Sequence, residues 1–303
     1  MTDQLRVVVL APSASGFAVV RRACEAAGHL PVAYAYARSL RPRRPTDPYA
    51  VESAGDLVGA LPAGLDLLLP GSAAGLLRAL PGYRPDLIVC NGFPWRLPER
   101  VRAVARLGAV NVHPSLLPRY RGPIPVHWAI RNGDAQTGVT VHWMDDTFDT
   151  GPVIAARGGV PIGDELDPDG LLRRLDQVSR DVLATALDRV AAGFPGEPQD
   201  EAGASYAGWM EEDFSFVDWS RTAREVHNQV RTFQFGVPGP PGPLAEVDGR
   251  WVALLRTGTT APPGGGGTVR VACADGPLWV VETEPVDPPA DRPPFVRPAR
   301  SLG

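Results

Sequence analysis

Residues 6–12 read Arg-Val-Val-Val-Leu-Ala-Pro, an unbroken apolar run rich in β-branched side chains. An alternating run would leave one face in water. This one buries both faces, as a parallel strand does when helices cover it on either side. A turn at 13–16 and a helical stretch to Ala27, closed by Gly28, lead into a second apolar run at 30–36. Strand, helix, strand in that order predicts a doubly wound α/β domain with a mostly parallel sheet. The turn after the first strand lacks GxGxxG, which disfavours dinucleotide binding of the usual kind.

Further buried runs at 86–91 and 109–113 extend the sheet, with a helix at 98–106 between them. Beyond Gly122 the pattern predicts a helix at 126–132, a half-exposed strand at 137–144, a strand at 153–160 and an amphipathic helix at 167–192. Residues 193–204 carry two prolines and several acids and read as a linker. The expected division is therefore 1–200 and 201–303. The second part opens on a helix at 222–233 with Ser220 as its cap. Short strand-like runs at 245–247, 251–256, 268–274 and 278–282 then predict a small β-barrel. The proline-rich tail from Pro285 reads as loose.

Composition narrows the function. All 30 basic residues are arginine, so no mechanism here rests on a Schiff-base or general-base lysine. A net charge of −4 gives no general pull toward nucleic acid or anionic membrane. Three distant cysteines with no CxxC pairing imply reduced thiols and no metal cluster. No apolar run approaches the roughly 20 residues that span a bilayer, and the start leads straight into a strand, so the expectation is a soluble cytoplasmic protein. Arg38, Arg41, Arg43 and Arg44 lie among prolines in a segment that reads as a surface loop or an anion-binding one.

The chemistry gathers at 109–122, Ala-Val-Asn-Val-His-Pro-Ser-Leu-Leu-Pro-Arg-Tyr-Arg-Gly. Residues i and i+2 of a strand share a face, so Asn111 and His113 emerge side by side just before Pro114. A histidine working as acid or base is usually oriented by a carboxylate. Asp145, Asp146 and Asp149 are the nearest in sequence, and Asp149 sits in a tight Asp-Thr-Gly turn. Asn111 as oxyanion donor, His113 as base and Asp149 as its orienting partner suit acyl transfer with no covalent enzyme intermediate. Asp149 is expected to move the His113 pKa upward. Cys90, His127, His142 and His227 read as ordinary structural residues. The turn at 92–98 follows a strand's carboxyl end, where open α/β sheets bind ligands. These residues alone leave the reading at an α/β enzyme of acyl or one-carbon transfer.

Asn111-Val-His113 with Pro-Ser-Leu-Leu-Pro-Arg-Tyr-Arg-Gly122, then Gly138-Val-Thr-Val-His-Trp-Met and Phe148-Asp149-Thr-Gly151, closely resembles the formyltransferases that use 10-formyltetrahydrofolate. The resemblance implies a Rossmann-like formyltransferase fold with an OB-like C-terminal domain. It carries the family's catalytic set onto Asn111, His113 and Asp149. It implies a folate pocket built from Asn91, Gly92, Phe93, Pro94, Trp95 and Leu97, from Val139, and from Asp145, Asp146 and Phe148. It makes Ser115, Leu116, Leu117, Pro118, Arg119 and Tyr120 the wall toward the acceptor.

Asp218-Trp-Ser-Arg-Thr-Ala-Arg-Glu-Val-His-Asn-Gln-Val-Arg231 is similar to the start of the C-terminal domain in methionyl-tRNA formyltransferases and in enzymes that formylate aminoarabinose nucleotides. Residues 201–303 hold 9 arginines against 13 acids, and the Gly/Lys/Arg-rich loop usual in the tRNA enzymes is reduced to Arg-Pro-Arg-Arg. The acceptor expected on these grounds is the amine of a small metabolite, such as an amino sugar nucleotide or a hydroxyornithine-type amine. Initiator methionyl-tRNA is the alternative. Hydrolysis of the folate to formate, or folate binding without turnover, are more distant ones.

Overall fold

The computed structural model describes residues 4–36, 56–262 and 268–302. The arginines at 38–44 therefore lie outside the described residues. The chain forms two compact units. One comprises the chain up to residue 122 together with 137–160 and 172–206. The other comprises 123–136, 161–171 and the chain from 207 onward.

The first unit is built on a seven-stranded sheet in the order β3-β2-β1-β4-β5-β6-β7. Its strands are β1 (Arg6–Leu10), β2 (Leu30–Ala35), β3 (Asp66–Leu68), β4 (Leu87–Asn91), β5 (Ala109–His113), β6 (Gln136–Trp143) and β7 (Val153–Pro161). Pairing is parallel from β3 through to β5. The sheet then reverses, because β6 runs antiparallel to β5. Helices α1 (Ala14–Ala26), α2 (Ala73–Ala79) and α3 (Glu99–Arg102) connect the parallel strands. Val7, Val8, Val9 and Leu10 are fully buried, as a doubly covered strand requires.

Two local expectations change. Helix α3 is one turn long and does not reach Arg106. Strand β6 is buried along almost its whole length, not half-exposed. Its Thr140 and His142 survive burial because each finds a partner. Thr140 Oγ1 donates to Ser115 O at 2.7 Å and accepts from Leu117 N at 3.1 Å, and His142 Nδ1 stands 2.8 Å from Trp143 O.

In the second unit, helix α4 (Pro125–Arg131) packs against α6 (Ala223–Gln234). The Arg131 guanidinium lies over both the Trp128 and Phe214 rings, and Trp128 Nε1 donates to Gly208 O at 2.7 Å. The long helix α5 (Pro168–Ala191), most of which belongs to the first unit, precedes α6 in the chain. A five-stranded antiparallel sheet follows α6 in the order β12-β10-β11-β9-β8, a curled, barrel-like arrangement. Its strands are β8 (Leu244–Val247), β9 (Arg250–Gly258), β10 (Val269–Cys273), β11 (Gly276–Pro285) and β12 (Ser301–Leu302). Val226, Val230, Leu254, Val271 and Leu278 form its core.

The tail is not loose. Arg292 donates to Val296 O and to Glu246, Val296 is buried, and β12 pairs with β10. Prolines hide such a segment from sequence patterning because they cannot donate to a ladder. Among the described residues no helix is long and apolar enough to cross a membrane.

The cap of α6 also differs from expectation. Thr222 occupies the N-cap in a reciprocal capping box with Glu225, while the Ser220 hydroxyl donates to Asp218. Thr222→Ala is expected to lower stability by about 1 kcal/mol, and Ser220→Ala by clearly less. Urea unfolding of both variants checks this ordering.

Candidate functional site

The site forms where the parallel part of the sheet meets the antiparallel part. In β5, Asn111 lies directly opposite His142 of β6, and His113 opposite Thr140. Asn111 and His113 share a face, and the register brings His142 onto the same patch. Asp149 arrives from the hairpin between β6 and β7. Its backbone is left-handed at φ +58°, and Gly151 follows where an added Cβ would fall 1.9 Å from Trp143 O. A glycine is the only residue that fits there.

The Asp149 carboxylate accepts from Gly122 N at 2.8 Å and from Asn111 Nδ2 at 3.2 Å. His142 Nε2 stands 3.4 Å from one of its oxygens and His113 Nδ1 3.7 Å from the other. Burial pushes this carboxyl up. The His142 contact, the two imidazoles and the Gly122 N–H outweigh burial and hold it down at about 2.

His113 is buried, and its Nε2 stands 2.8 Å from Tyr120 O. A carbonyl only accepts, so that contact assigns the proton to Nε2 and leaves the lone pair on Nδ1, the nitrogen facing Asp149. Tyr120, like Asp149, is left-handed, at φ +60°. Such backbone costs about 1–3 kcal/mol per residue and persists only where its surroundings over-determine it. The expected upward shift of His113 does not occur. Desolvation lowers its pKa and outweighs the opposing pull of Asp149 and the Tyr120 carbonyl. The imidazole is neutral near pH 7.

Asn111 does not point into open space. Its amide nitrogen lies 3.2 Å from Asp149 and 3.3 Å from His142 Nε2. Donation to a developing oxyanion would require it to give up the second of these.

Around this cluster the expected pocket residues divide. Trp95, Leu97 and Val139 are buried core side chains. Phe93 is half-buried edge-on to Trp95, and Phe148 is 55% exposed. Asn91 Nδ2 donates to Gly16 O. Asp145 orders its own loop by accepting from Thr147 N and Thr150 Oγ1. On the other wall Leu116 and Arg119 are exposed, Leu117 and Pro118 half-buried and Tyr120 buried. The hydroxyl of fully buried Ser115 donates to Arg119 O.

Sequence reasoning passed over Arg102. Buried on α3, it donates to Leu97 O at 2.6 Å and to Asp146 Oδ1 at 2.9 Å, so one guanidinium ties the 91–97 loop to the 145–148 loop. Burial pushes the Cys90 thiol up, away from nucleophilic use. Among the described residues no group of His, Cys, Asp and Glu is arranged to hold a metal.

Residues 72–187 match the formyl transferase family and residues 210–289 the formyl transferase C-terminal domain. A methionyl-tRNA formyltransferase from Citrifermentans bemidjiense is 37% identical over 217 residues, covering 69% of this chain and 67% of that one. The chain belongs to the formyltransferase family. A second methionyl-tRNA formyltransferase, from Halorhodospira halophila, is 37% identical to this formyltransferase over 226 residues, 72% of this chain and 71% of that one. HypX from Aquifex aeolicus, crystallised with tetrahydrofolic acid, shares the fold at a TM-score of 0.61 and 20% identity, over 94% of this chain and 45% of that one.

These relatives overturn the expected acceptor. The acid balance of residues 201–303 points to a small-metabolite amine, yet the relatives that share most of this formyltransferase are methionyl-tRNA enzymes. A charge sum over a hundred residues was the wrong measure. Phosphate contact depends on where individual guanidinium groups stand, which a sum does not register. His142, set aside as ordinary, is the other omission. The signal for it was its place in β6, which sets it across from Asn111.

The lowered pKa of His113 gives a signed pH dependence. Its imidazole should titrate below 6.5, and Asp149→Asn, by removing the group that raises it, should push it lower still. Because the unfolded imidazole protonates first, the fold loses stability as pH falls below 6.5. The depressed Asp149 carboxyl adds a second loss as pH falls from about 3.8 toward 2. NMR titration of the imidazole ring checks both shifts, and a midpoint above 6.5 contradicts them.

Proposed function

We propose that this formyltransferase moves the formyl group of 10-formyltetrahydrofolate onto the α-amine of methionine carried by tRNA. Its similarity to methionyl-tRNA formyltransferases over about two thirds of both chains supports the acceptor. The constellation of Asn111, His113 and Asp149 at one end of the sheet carries the chemistry. The donor, when bound, supplies an activated formyl carbon, and tetrahydrofolate is its leaving group.

The residues fit such a donor. Two loops held together by Arg102 present backbone groups and two accessible aromatic rings, Phe93 and Phe148, to a flat heterocycle. His113 Nδ1 takes the proton that the attacking amine gives up as it bonds the formyl carbon, and returns it to the tetrahydrofolate nitrogen as the bond to that nitrogen breaks. The imidazolium so formed stands 3.7 Å from a carboxylate that stays ionised down to about pH 2, so charge separates into a site prepared for it. The Tyr120 carbonyl keeps the ring from rotating. Asn111 turns one N–H from His142 to the formyl oxygen as negative charge develops there. Losing a donor of this kind typically costs about 2.7–4 kcal/mol of barrier. Three unpaired cysteines, Cys24, Cys90 and Cys273, suit a cytoplasmic site for this reaction.

Charged initiator tRNA should be formylated, and kcat/KM should fall steeply as salt rises from low to physiological strength. His113→Ala should lower kcat by roughly 100-fold or more, and Asp149→Asn likewise. Acid-gel separation of formylated from unformylated methionyl-tRNA measures all of these. Failure to formylate it, under conditions where the protein binds folate, removes the acceptor assignment.

A further inference from the structure

Residues 193–204 read as a linker in the sequence, yet Gln199 sits at the junction of the groups that set the site. Its Nε2 donates to Asp149 O at 2.9 Å and to Gly151 O at 2.8 Å, one carbonyl on each side of Thr150. Its Oε1 accepts from Arg121 Nη2 at 2.8 Å and Nε at 3.1 Å. Arg121 is buried, and Glu201 holds its guanidinium at 2.7 and 2.9 Å.

The neighbours of Arg121 are what give this amide its leverage. Tyr120, just before it, offers the carbonyl that fixes the His113 proton on Nε2. Gly122, just after it, offers the N–H that binds Asp149 Oδ2. Ser205 secures the same stretch, its hydroxyl accepting from Tyr120 N at 2.8 Å and its carbonyl from Arg121 N at 2.8 Å. The Gln199 amide thus bonds left-handed Asp149 directly and reaches left-handed Tyr120 through the side chain of its neighbour Arg121. Strained backbone of that kind relaxes unless something opposes it.

We infer that Gln199 is a positioning residue: its amide locks the Asp149 turn to the 120–122 loop and thereby sets the distance between the His113 and Asp149 side chains. The inference rests on the reading of His113 and Asp149 as the reacting pair. Glutamate has the same length but cannot donate to the two carbonyls at neutral pH. Gln199→Glu therefore keeps the Arg121 contact and breaks the Asp149 one, while Gln199→Leu breaks both.

The test uses the full chain, with formyl transfer to methionyl-tRNA, binding of tetrahydrofolate by tryptophan fluorescence, and NMR titration of His113. Both variants should lower kcat by roughly tenfold to a hundredfold. KM for the donor and the Kd for tetrahydrofolate should stay within about twofold of the parent. The His113 midpoint should move down as Asp149 drifts away from it. A general loss of packing would instead weaken folate binding and leave the midpoint in place, and that result overturns the proposal. So does an unchanged kcat in Gln199→Leu when Asp149→Asn is inactive. Should Asp149→Asn itself retain its rate, the reading of the reacting pair fails first.

Discussion

A single carboxylate organises this site, and its position is costly to maintain. Asp149 is largely removed from water, which disfavours its charge, and its backbone is left-handed, which disfavours the residue. Both penalties are offset locally. A backbone N–H, an amide and two imidazoles converge on two oxygens, and the net effect is a stronger acid than a free aspartate. Remove the carboxylate and two imidazoles face a vacant anion site. Neutralise it and the Gly122 N–H loses a charged acceptor. The surrounding sequence makes physical sense as a frame for that one charge.

The frame depends on a reversal of direction in the sheet. A parallel neighbour after β5 would need a crossover and would place its residues in a different register. The antiparallel β6 instead returns alongside β5, so that Asn111 meets His142 and the hairpin beyond carries Asp149 to the same end. Conventional α/β sites gather at the carboxyl ends of parallel strands. Here one wall comes from such ends and the other from a hairpin, which permits contacts 38 residues apart in sequence at hydrogen-bond distance.

How much of this the sequence discloses depends on the range of the interaction. The run at 6–12 and the i, i+2 spacing of Asn111 and His113 are local patterns, and the fold and the shared face follow from them. The direction of the His113 shift is not local. The carboxylate that raises it is visible in sequence, whereas the burial that lowers it is a property of the packed sheet. Arg102 and Gln199 escaped for a related reason. A buried arginine in a one-turn helix and a glutamine between prolines and acids carry no periodic signal, and their partners lie 44 and 50 residues away. Resemblance to relatives gives the reaction because its motifs, at 111–122, 138–144 and 148–151, are each short and local. Composition misassigns the acceptor because a charge sum does not register surface arrangement.

The way the chain is threaded through its two units has a consequence for synthesis on the ribosome. Helix α4 belongs to the second unit, yet it is complete at residue 131, whereas its packing partner α6 begins only at residue 223. During translation the buried side of α4, including Val126, Ala129 and Ile130, must wait for that partner. The first unit in turn is unfinished until residue 206 has emerged. No single cut in the polypeptide yields either unit whole. The nascent chain therefore holds an apolar helix face open while the last third of the first unit is made, which makes this interval the time when a chaperone has something to bind.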